Sequence, residues 1–404
     1  MAQVKDLLSK VRNELAAWLL PLLPRDLQHK VGNPNRDWKH SDLRVVASLP
    51  KSETNLLIAP ANFGGQGYQW ARSAETLPGV SAVNLRFLSQ NAVVRGKSDF
   101  TVEPDVGNSS HIWARRQKKA IARSFSHVLI EAERPILGGL HGKDLVREVK
   151  ALQEAGIEVA LVSHGSDVRL PSRHRSIEPG SPFHGALNGR TVELEARAVR
   201  NLELMDQLAL PEFVSTPDLL EFRPNATWLP LVTDPDMWAG IKPTQLEKEM
   251  PVVLHVPGSH PEMKGTELIA PAMRKLEREG LIEYIEPNVV PHDQLPGLYE
   301  KADIVVNQVG IGGYGTVSVE AMLAGRIVVT QVWESARDTI RAQTGRELPI
   351  VEATRETLEE SVRNIVTSRE EYADLGERSR AFALEVHSRE SAARILRSFL
   401  NIGN

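Results

Sequence analysis

Residues 303–325 read Asp-Ile-Val-Val-Asn-Gln-Val-Gly-Ile-Gly-Gly-Tyr-Gly-Thr-Val-Ser-Val-Glu-Ala-Met-Leu-Ala-Gly, an apolar strand that runs into a glycine-rich loop and then a helix. Gly310, Gly312, Gly313 and Gly315 let the backbone approach a ligand, and open amides at a helix start suit an anion such as a diphosphate. Glu320 falls one turn into that helix, where a carboxylate can accept hydrogen bonds from ribose hydroxyls. A tight turn followed by a glutamate that complements the helix dipole fits the same residues. A second cluster, Ser163-His-Gly-Ser-Asp-Val-Arg169, stands at a strand end, where an α/β sheet presents its chemistry. Arg169 suits a carboxylate or phosphate, while the serine and aspartate here would equally cap the next helix. Glu131 closes the run His127-Val-Leu-Ile-Glu. A carboxylate after a buried strand is costly unless solvated or paired, which makes it a candidate site residue, with an ion pair to Arg134 as the alternative. The turn Asn62-Phe-Gly-Gly-Gln-Gly67 follows another strand, and tight turning alone would account for Gly64, Gly65 and Gly67.

The elements that must position these residues alternate. In the first half, strands are expected over 55–60, 80–87, 127–131, 159–163 and 213–216, with a helix over 143–155 stopped by Gly156. The second half restarts the rhythm, with strands over 252–256, 281–286, 303–307 and 326–331. Helices are expected there over 265–279, 292–301 and 315–324. Such alternation predicts parallel sheets covered on both faces. Two doubly wound units in sequence leave a cleft between their sheet ends. The joint falls in 230–248, where prolines 230, 235 and 243 interrupt any period.

Residues 1–40 form a separate prefix. Val4, Leu7, Val11, Leu15, Trp18 and Leu22 make one apolar helical stripe that Pro21 and Pro24 cut short. The stripe packs either on the domain that follows or on a membrane surface, through residues 4–23.

A length of 404 residues exceeds what one core usually serves, so two domains are expected. The 48 basic and 52 acidic residues nearly cancel, so no nucleic-acid partner is signalled. Without cysteine, thiolate catalysis, disulfides and Cys-type metal sites are excluded, and a reducing cytoplasm is the expected location. No secretory signal is read at the N-terminus, and no apolar stretch approaches the roughly 20 residues needed to cross a bilayer. The phosphate-loop, serine-elbow and zinc-helix motifs are missing, as is any clear Asp-x-Asp metal element. The expectation is metal-independent chemistry without a resident cofactor.

The 303–325 stretch resembles the donor-site signature of retaining GT-B glycosyltransferases of family 4 (glycosyl transferases group 1), where a Glu-x7-Glu element crosses this loop and helix. Gly-Tyr-Gly at 313–315, Val-Glu-Ala-Met at 319–322 and Ala-Gly at 324–325 carry the likeness, and Glu320 takes the second glutamate position. Gly312 stands where the family has its first glutamate, near the donor sugar, so the sugar contact must differ here. Pro261-Glu-Met-Lys-Gly-Thr266 resembles the segment whose lysine neutralises the donor diphosphate, a role that falls to Lys264. The family's arginine just upstream is missing, with Ser259 and His260 nearby instead. Glu286-Pro-Asn-Val-Val-Pro-His292 resembles the region near the nucleotide base.

By the same resemblance, Gly64, Gly65 and Gly67 match the glycine turn near donor phosphate and acceptor. His164 and Asp167 match an element that contacts sugar or acceptor, and Glu131 stands where relatives often carry a cleft histidine. The resemblance implies a GT-B fold of two Rossmann-like domains: 41–232 for the acceptor, 233–385 for the donor, and a closing helix in 386–404 that returns to the first domain. The implied sites are donor contacts at Gly64, Gly65, Gly67, Lys264, Gly312, Gly313, Tyr314, Gly315, Thr316 and Glu320, and catalytic groups Glu131, His164 and Asp167. The implied partners are a nucleoside-diphosphate sugar and a glycan, lipid-linked or small-molecule acceptor. A nucleotide-sugar epimerase and a non-catalytic GT-B-like scaffold share these features, the second encouraged by Gly312.

Overall fold

Leu56, Leu57 and Ile58 in succession are wholly buried, which requires a strand covered on both faces. In a computed structural model of the chain, describing residues 41–403 apart from 90–91, 93–95, 186–188, 259 and 289, this run is the strand β1 (Thr54–Ala59). It is an inner strand of a seven-stranded sheet. The other strands are β2 (Val80–Phe87), β3 (Phe100–Val102), β4 (His127–Glu131), β5 (Glu158–Ser163), β6 (Glu212–Val214) and β7 (Thr227–Trp228). Their order is β3-β2-β1-β4-β5-β6-β7, all parallel, with Leu57 facing Val83 on one side and Val128 on the other.

The second half builds a five-stranded parallel sheet from β8 (Val252–His255), β9 (Glu283–Ile285), β10 (Ile304–Val306), β11 (Ile327–Thr330) and β12 (Val351–Glu352), in the order β12-β11-β10-β8-β9. Both halves therefore have the doubly wound α/β architecture expected from the alternation. Strand order reverses between β1 and β4 in one sheet and between β8 and β10 in the other. A reversal splays the connecting helices to opposite faces and opens a crevice at the carboxyl ends of the strands. Glu131 ends β4, and the segments carrying Gly64, Lys264 and Gly312 leave the other three strands.

Local chemistry sets the element ends. The helix expected over 143–155 runs Leu145–Gln153, because the Asp144 side chain accepts from the Arg147 amide at 3.2 Å and Gly156 takes a left-handed φ of 78°. The helix expected over 265–279 is interrupted at its start: a turn at Pro261–Lys264 ends on left-handed Gly265, and Thr266–Arg278 follows. Asp303, buried ahead of β10, accepts from Thr244 Oγ1 (2.8 Å), Lys248 Nζ (2.8 Å) and the Val252 amide (2.9 Å), which ties the connecting segment to the second sheet.

At the C-terminus, Leu375–Val386 packs on the helix Thr316–Leu323, and Arg389–Phe399 crosses back onto Gln66–Ala74 of the first half. There Ala392, Ala393, Leu396 and Phe399 share one core cluster with Trp70, Ala71 and Ala74. The amphipathic helix expected in residues 1–40 lies outside the described residues. Among these, no helix is long and apolar enough to cross a membrane.

Because Leu396 is fully buried in the first half's core, Leu396→Ala leaves a cavity in a domain from which it is remote in sequence. Urea unfolding is expected to show a loss of roughly 2–5 kcal/mol. An unchanged midpoint would mean that the returning helix does not brace that domain.

Candidate active site

The loop after β1 meets the second half at the start of the helix Thr316–Leu323. Gly64 takes a φ of 58°, and a Cβ there would lie 2.8 Å from Thr316 Oγ1 at the start of the helix Thr316–Leu323. Only glycine fits both the conformation and the space. Three adjoining cavities meet at Gly64, of about 480, 720 and 490 Å³.

The third cavity gathers Lys264, Arg169 and His164 with Gly313, Gly315 and Thr316. Lys264 is half-buried, and its ammonium donates to Asn307 Oδ1 at 2.6 Å; among the described residues no carboxylate pairs with it. Burial pulls its pKa down to about 8, against the field of Glu320, which raises it. Asn307 Nδ2 in turn donates to Ser318 Oγ at 2.8 Å, so lysine, strand end and helix are held as one unit. The helix beginning at Thr316 has no side-chain cap, which leaves its first amides to a ligand in the cavity. A cation and a helix start on one cavity suit a diphosphate.

Glu320, 2% exposed, lines the other two cavities with His292. His292 Nε2 lies 2.7 Å from Glu320 Oε1, and this bond raises the imidazole's pKa. The glutamate thus does more than complement a helix dipole: one oxygen is anchored on His292, the last residue of the 286–292 segment.

On the first half's side, His164 Nε2 lies 3.2 Å from Glu131 Oε1, and the ring stacks on Trp70 with its edge toward Phe63. Glu131 is wholly buried and makes no ion pair with Arg134, whose guanidinium lies 4.9 Å from the centre of the Phe63 ring. Asp167 has both oxygens taken by backbone, from the His164 amide at 2.7 Å and the Gly165 amide at 2.5 Å. It shapes the loop that presents His164, and its carboxylate is not turned to the cavity. Arg169 reaches the cavity while bonded to buried Asp218.

Several expected donor contacts take other places. Gly65 borders the first two cavities, whereas Gly67 borders none of the three. A Cβ at Gly67 would meet Glu131 Oε2 at 2.7 Å, so its role is close packing of the helix on the sheet. Tyr314 borders the third cavity, but its phenol lies 3.2 Å from His387 Nε2. Gly312 adopts a φ of 78°, and a Cβ there would fall inside the Trp333 indole. That indole occupies the space open to a side chain at position 312.

The sequence reading missed the groups behind this arrangement. Trp333 Nε1 and Gln331 Nε2 both donate to Glu178 Oε2 at 2.9 Å, and Glu178 comes from the first half. His174, from the same segment, donates from Nε2 to the Ile311 carbonyl at 3.2 Å; burial lowers its pKa to about 3, so it stays neutral. Glu133 is buried with Ser163 Oγ donating to it at 2.8 Å, and burial, reinforced by Asp167, holds its pKa well above the usual carboxylate range. The spacing Glu-Ala-Glu at a strand end was the one available signal for Glu133.

Residues 287–382, which include His292, Gly312–Thr316 and Glu320, match the family model of glycosyl transferases group 1. The solved structures agree in fold. Sucrose-phosphate synthase from Thermosynechococcus elongatus superposes with a TM-score of 0.54 at 13% identity, covering 86% of this chain and 98% of that one. Anabaena HepE in complex with UDP gives 0.52 at 14% identity, with 86% and 99% covered. An α-glucosyltransferase in complex with UDP-glucose and DNA gives 0.54 at 11% identity, with 87% and 100% covered. No curated protein matches the chain by sequence. The chain has the GT-B fold, and its second half carries a segment similar to glycosyl transferases group 1.

The geometry of this site generates two predictions. The lowered pKa of Lys264 means that the free enzyme loses this positive charge as pH rises through about 8. kcat/KM for a substrate whose anionic group enters this cavity is expected to fall above that pH. Lys264→Arg should remove the alkaline limb, and Lys264→Ala should lower kcat about 10²-fold or more. Equal turnover by Lys264→Ala and wild type would show that the lysine does not face the leaving group. Separately, Gly312→Glu is expected to destabilise the protein rather than improve sugar binding, because the new side chain collides with Trp333. A folded Gly312→Glu protein with a higher melting temperature would contradict the packing described.

Proposed function

We propose that this chain moves a sugar from a nucleoside-diphosphate sugar to an acceptor hydroxyl, with retention of anomeric configuration and without a metal ion. The observation that carries this reading is Lys264: a half-buried cation with a neutral amide partner, facing a cavity that also holds an uncapped helix start. Charge developing on a leaving diphosphate is stabilised by a fixed cation and fixed amides, the task a metal ion performs elsewhere. Glu320, anchored on His292, offers its remaining oxygen to the ribose. The 286–292 segment then lies toward the base.

His164, braced by Glu131 and by a loop that Asp167 holds, faces the sugar and acceptor from the first half. Retention rests on the resemblance of 303–325 to retaining transferases, with the leaving diphosphate itself accepting the acceptor's proton. UDP and UDP-glucose in the solved neighbours make uridine sugars the first donors to try.

The test is turnover of UDP-, GDP- and ADP-sugars against an acceptor panel, with the product anomer read by NMR and a parallel arm in EDTA. One nucleotide series should be turned over with retention and without loss in EDTA. Glu320→Ala should weaken binding or turnover at least tenfold, about 1.4 kcal/mol, in a folded protein. Formation of an epimer without any acceptor would identify an epimerase. A folded chain that binds no sugar nucleotide would leave a scaffold role instead.

A further inference from the structure

The cavity of about 490 Å³ holds an ion pair that the phosphate contacts leave unused. Arg169, on the loop after β5, donates from Nη2 to Oδ2 of Asp218, which sits in the turn Pro217–Glu221 after β6. Both side chains line the cavity with Lys264 and the glycine loop, at 9% and 1% exposure. Burying two charges is costly unless their remaining hydrogen bonds are also satisfied. Here they are not. Arg169 Nε is buried without a partner, and Asp218 Oδ1 accepts no hydrogen bond among the described residues.

The pair is held in place from both halves. The Arg169 amide donates to the Gly165 carbonyl at 2.8 Å, within the loop that Asp167 shapes. A Cβ at Gly313 would overlap Asp218 Oδ1, so glycine is what lets this carboxylate lie against the second half's loop. Other polar groups of the cavity are engaged. His164 is bonded to Glu131, Gln308 Nε2 donates to the Gly313 carbonyl at 2.6 Å, and His260 Nδ1 accepts from Arg190 at 3.2 Å. Thr216 and Thr316 add uncharged hydroxyls to the same wall.

Asp218 cancels the charge of Arg169, so this end of the cavity is polar without a net sign. A diphosphate here would face a carboxylate, and it is better placed on Lys264 and the helix start. The pair suits an uncharged group with a donor and an acceptor on adjacent atoms. One hydroxyl can donate to Asp218 Oδ1 while its neighbour accepts from the Arg169 guanidinium.

We propose that Arg169 and Asp218 bind two neighbouring hydroxyls of the transferred sugar and thereby set which sugar is accepted. This assignment rests on the glycosyl-transfer reading, and it names the groups that read the sugar where position 312 carries no side chain. A site built to bond a hydroxyl rejects the analogue that lacks it, because a buried charged partner is then left unpaired.

The test titrates the full chain calorimetrically with UDP, GDP and ADP, then with the glucose and mannose conjugates of the one that binds best. Single-deoxy analogues of the tighter conjugate follow, and the quantity read is conjugate affinity relative to bare diphosphate. In the wild type, loss of one hydroxyl should lower that ratio about tenfold or more. Arg169→Met with Asp218→Ala removes both charges together, so the cavity's net charge is unchanged and no buried ion is stranded. This double variant should lower the ratio by a similar factor and leave the bare diphosphate unaffected. The deoxy sugar should then cost it nothing further. If the double variant does not fold, Asp218→Asn, which keeps the shape, is read by the same ratio. An unchanged ratio overturns the proposal, and so does a deoxy loss equal in variant and wild type. Equal losses for diphosphate and conjugate also overturn it, since the pair would then only shape the loop. A chain that binds a diphosphate but no conjugate, or ignores every missing hydroxyl, fails this proposal alone. A chain that binds none of the three diphosphates fails the transfer reading itself.

Discussion

The glycine-rich loop between β10 and the helix Thr316–Leu323 is held from both halves of the chain, and the site depends on that contact. His174 donates to the Ile311 carbonyl, Glu178 grips Trp333 and Gln331, and Gly64 lies against Thr316. Gln331 Oε1 also accepts from the Gly310 amide at 2.6 Å, so the bonds to Glu178 pass directly into the loop. A loop rich in glycine would otherwise sample many conformations and hold no ligand in one place. Here its entropy is removed by buried hydrogen bonds that cross between the domains, with partners nearly all neutral or satisfied. The loop geometry therefore depends on contacts made by the first half.

Within that frame, charge is distributed by burial. Lys264 is half-buried against an amide, His174 and His387 are kept neutral, and burial raises the pKa of Glu133. Few fixed charges then compete inside the cleft, so those that remain act through a lower effective dielectric than water. The paired His292 and Glu320 partition the space. On one side lies Lys264 with the helix start, and on the other lies the cavity lined by Phe63, Phe87 and Pro104.

The sheets were legible because a strand buried on both faces must be a continuous apolar run, as in Leu56–Ile58 or Val305–Val306, and glycine punctuates the ends. The strand–loop–helix over 303–325 was readable for the same reason, since all its signals are local. Contacts between distant residues were not. Nothing in the surroundings of Gly312 announces Trp333, and Glu178 gives no sign that it serves the other half of the chain. Asp167 was ambiguous between ligand and cap, and its two backbone partners decide in favour of shaping the loop. Gly67 looked like part of a phosphate turn, yet lies one step inside the helix, against Glu131. Helix ends moved where a side-chain cap or left-handed glycine intervened, as at Asp144 and Gly265.

The central claim is that Lys264, the amides opening at Thr316 and Glu320 form one nucleotide site between the halves. It is tested most directly by determining the structure of the full chain with the nucleoside diphosphate it binds best. The account predicts the diphosphate in the cavity of about 490 Å³, within hydrogen-bond distance of Lys264 Nζ and the Thr316 amide, with the ribose on Glu320. A nucleotide ordered elsewhere, with Lys264 still bonded only to Asn307, would contradict it.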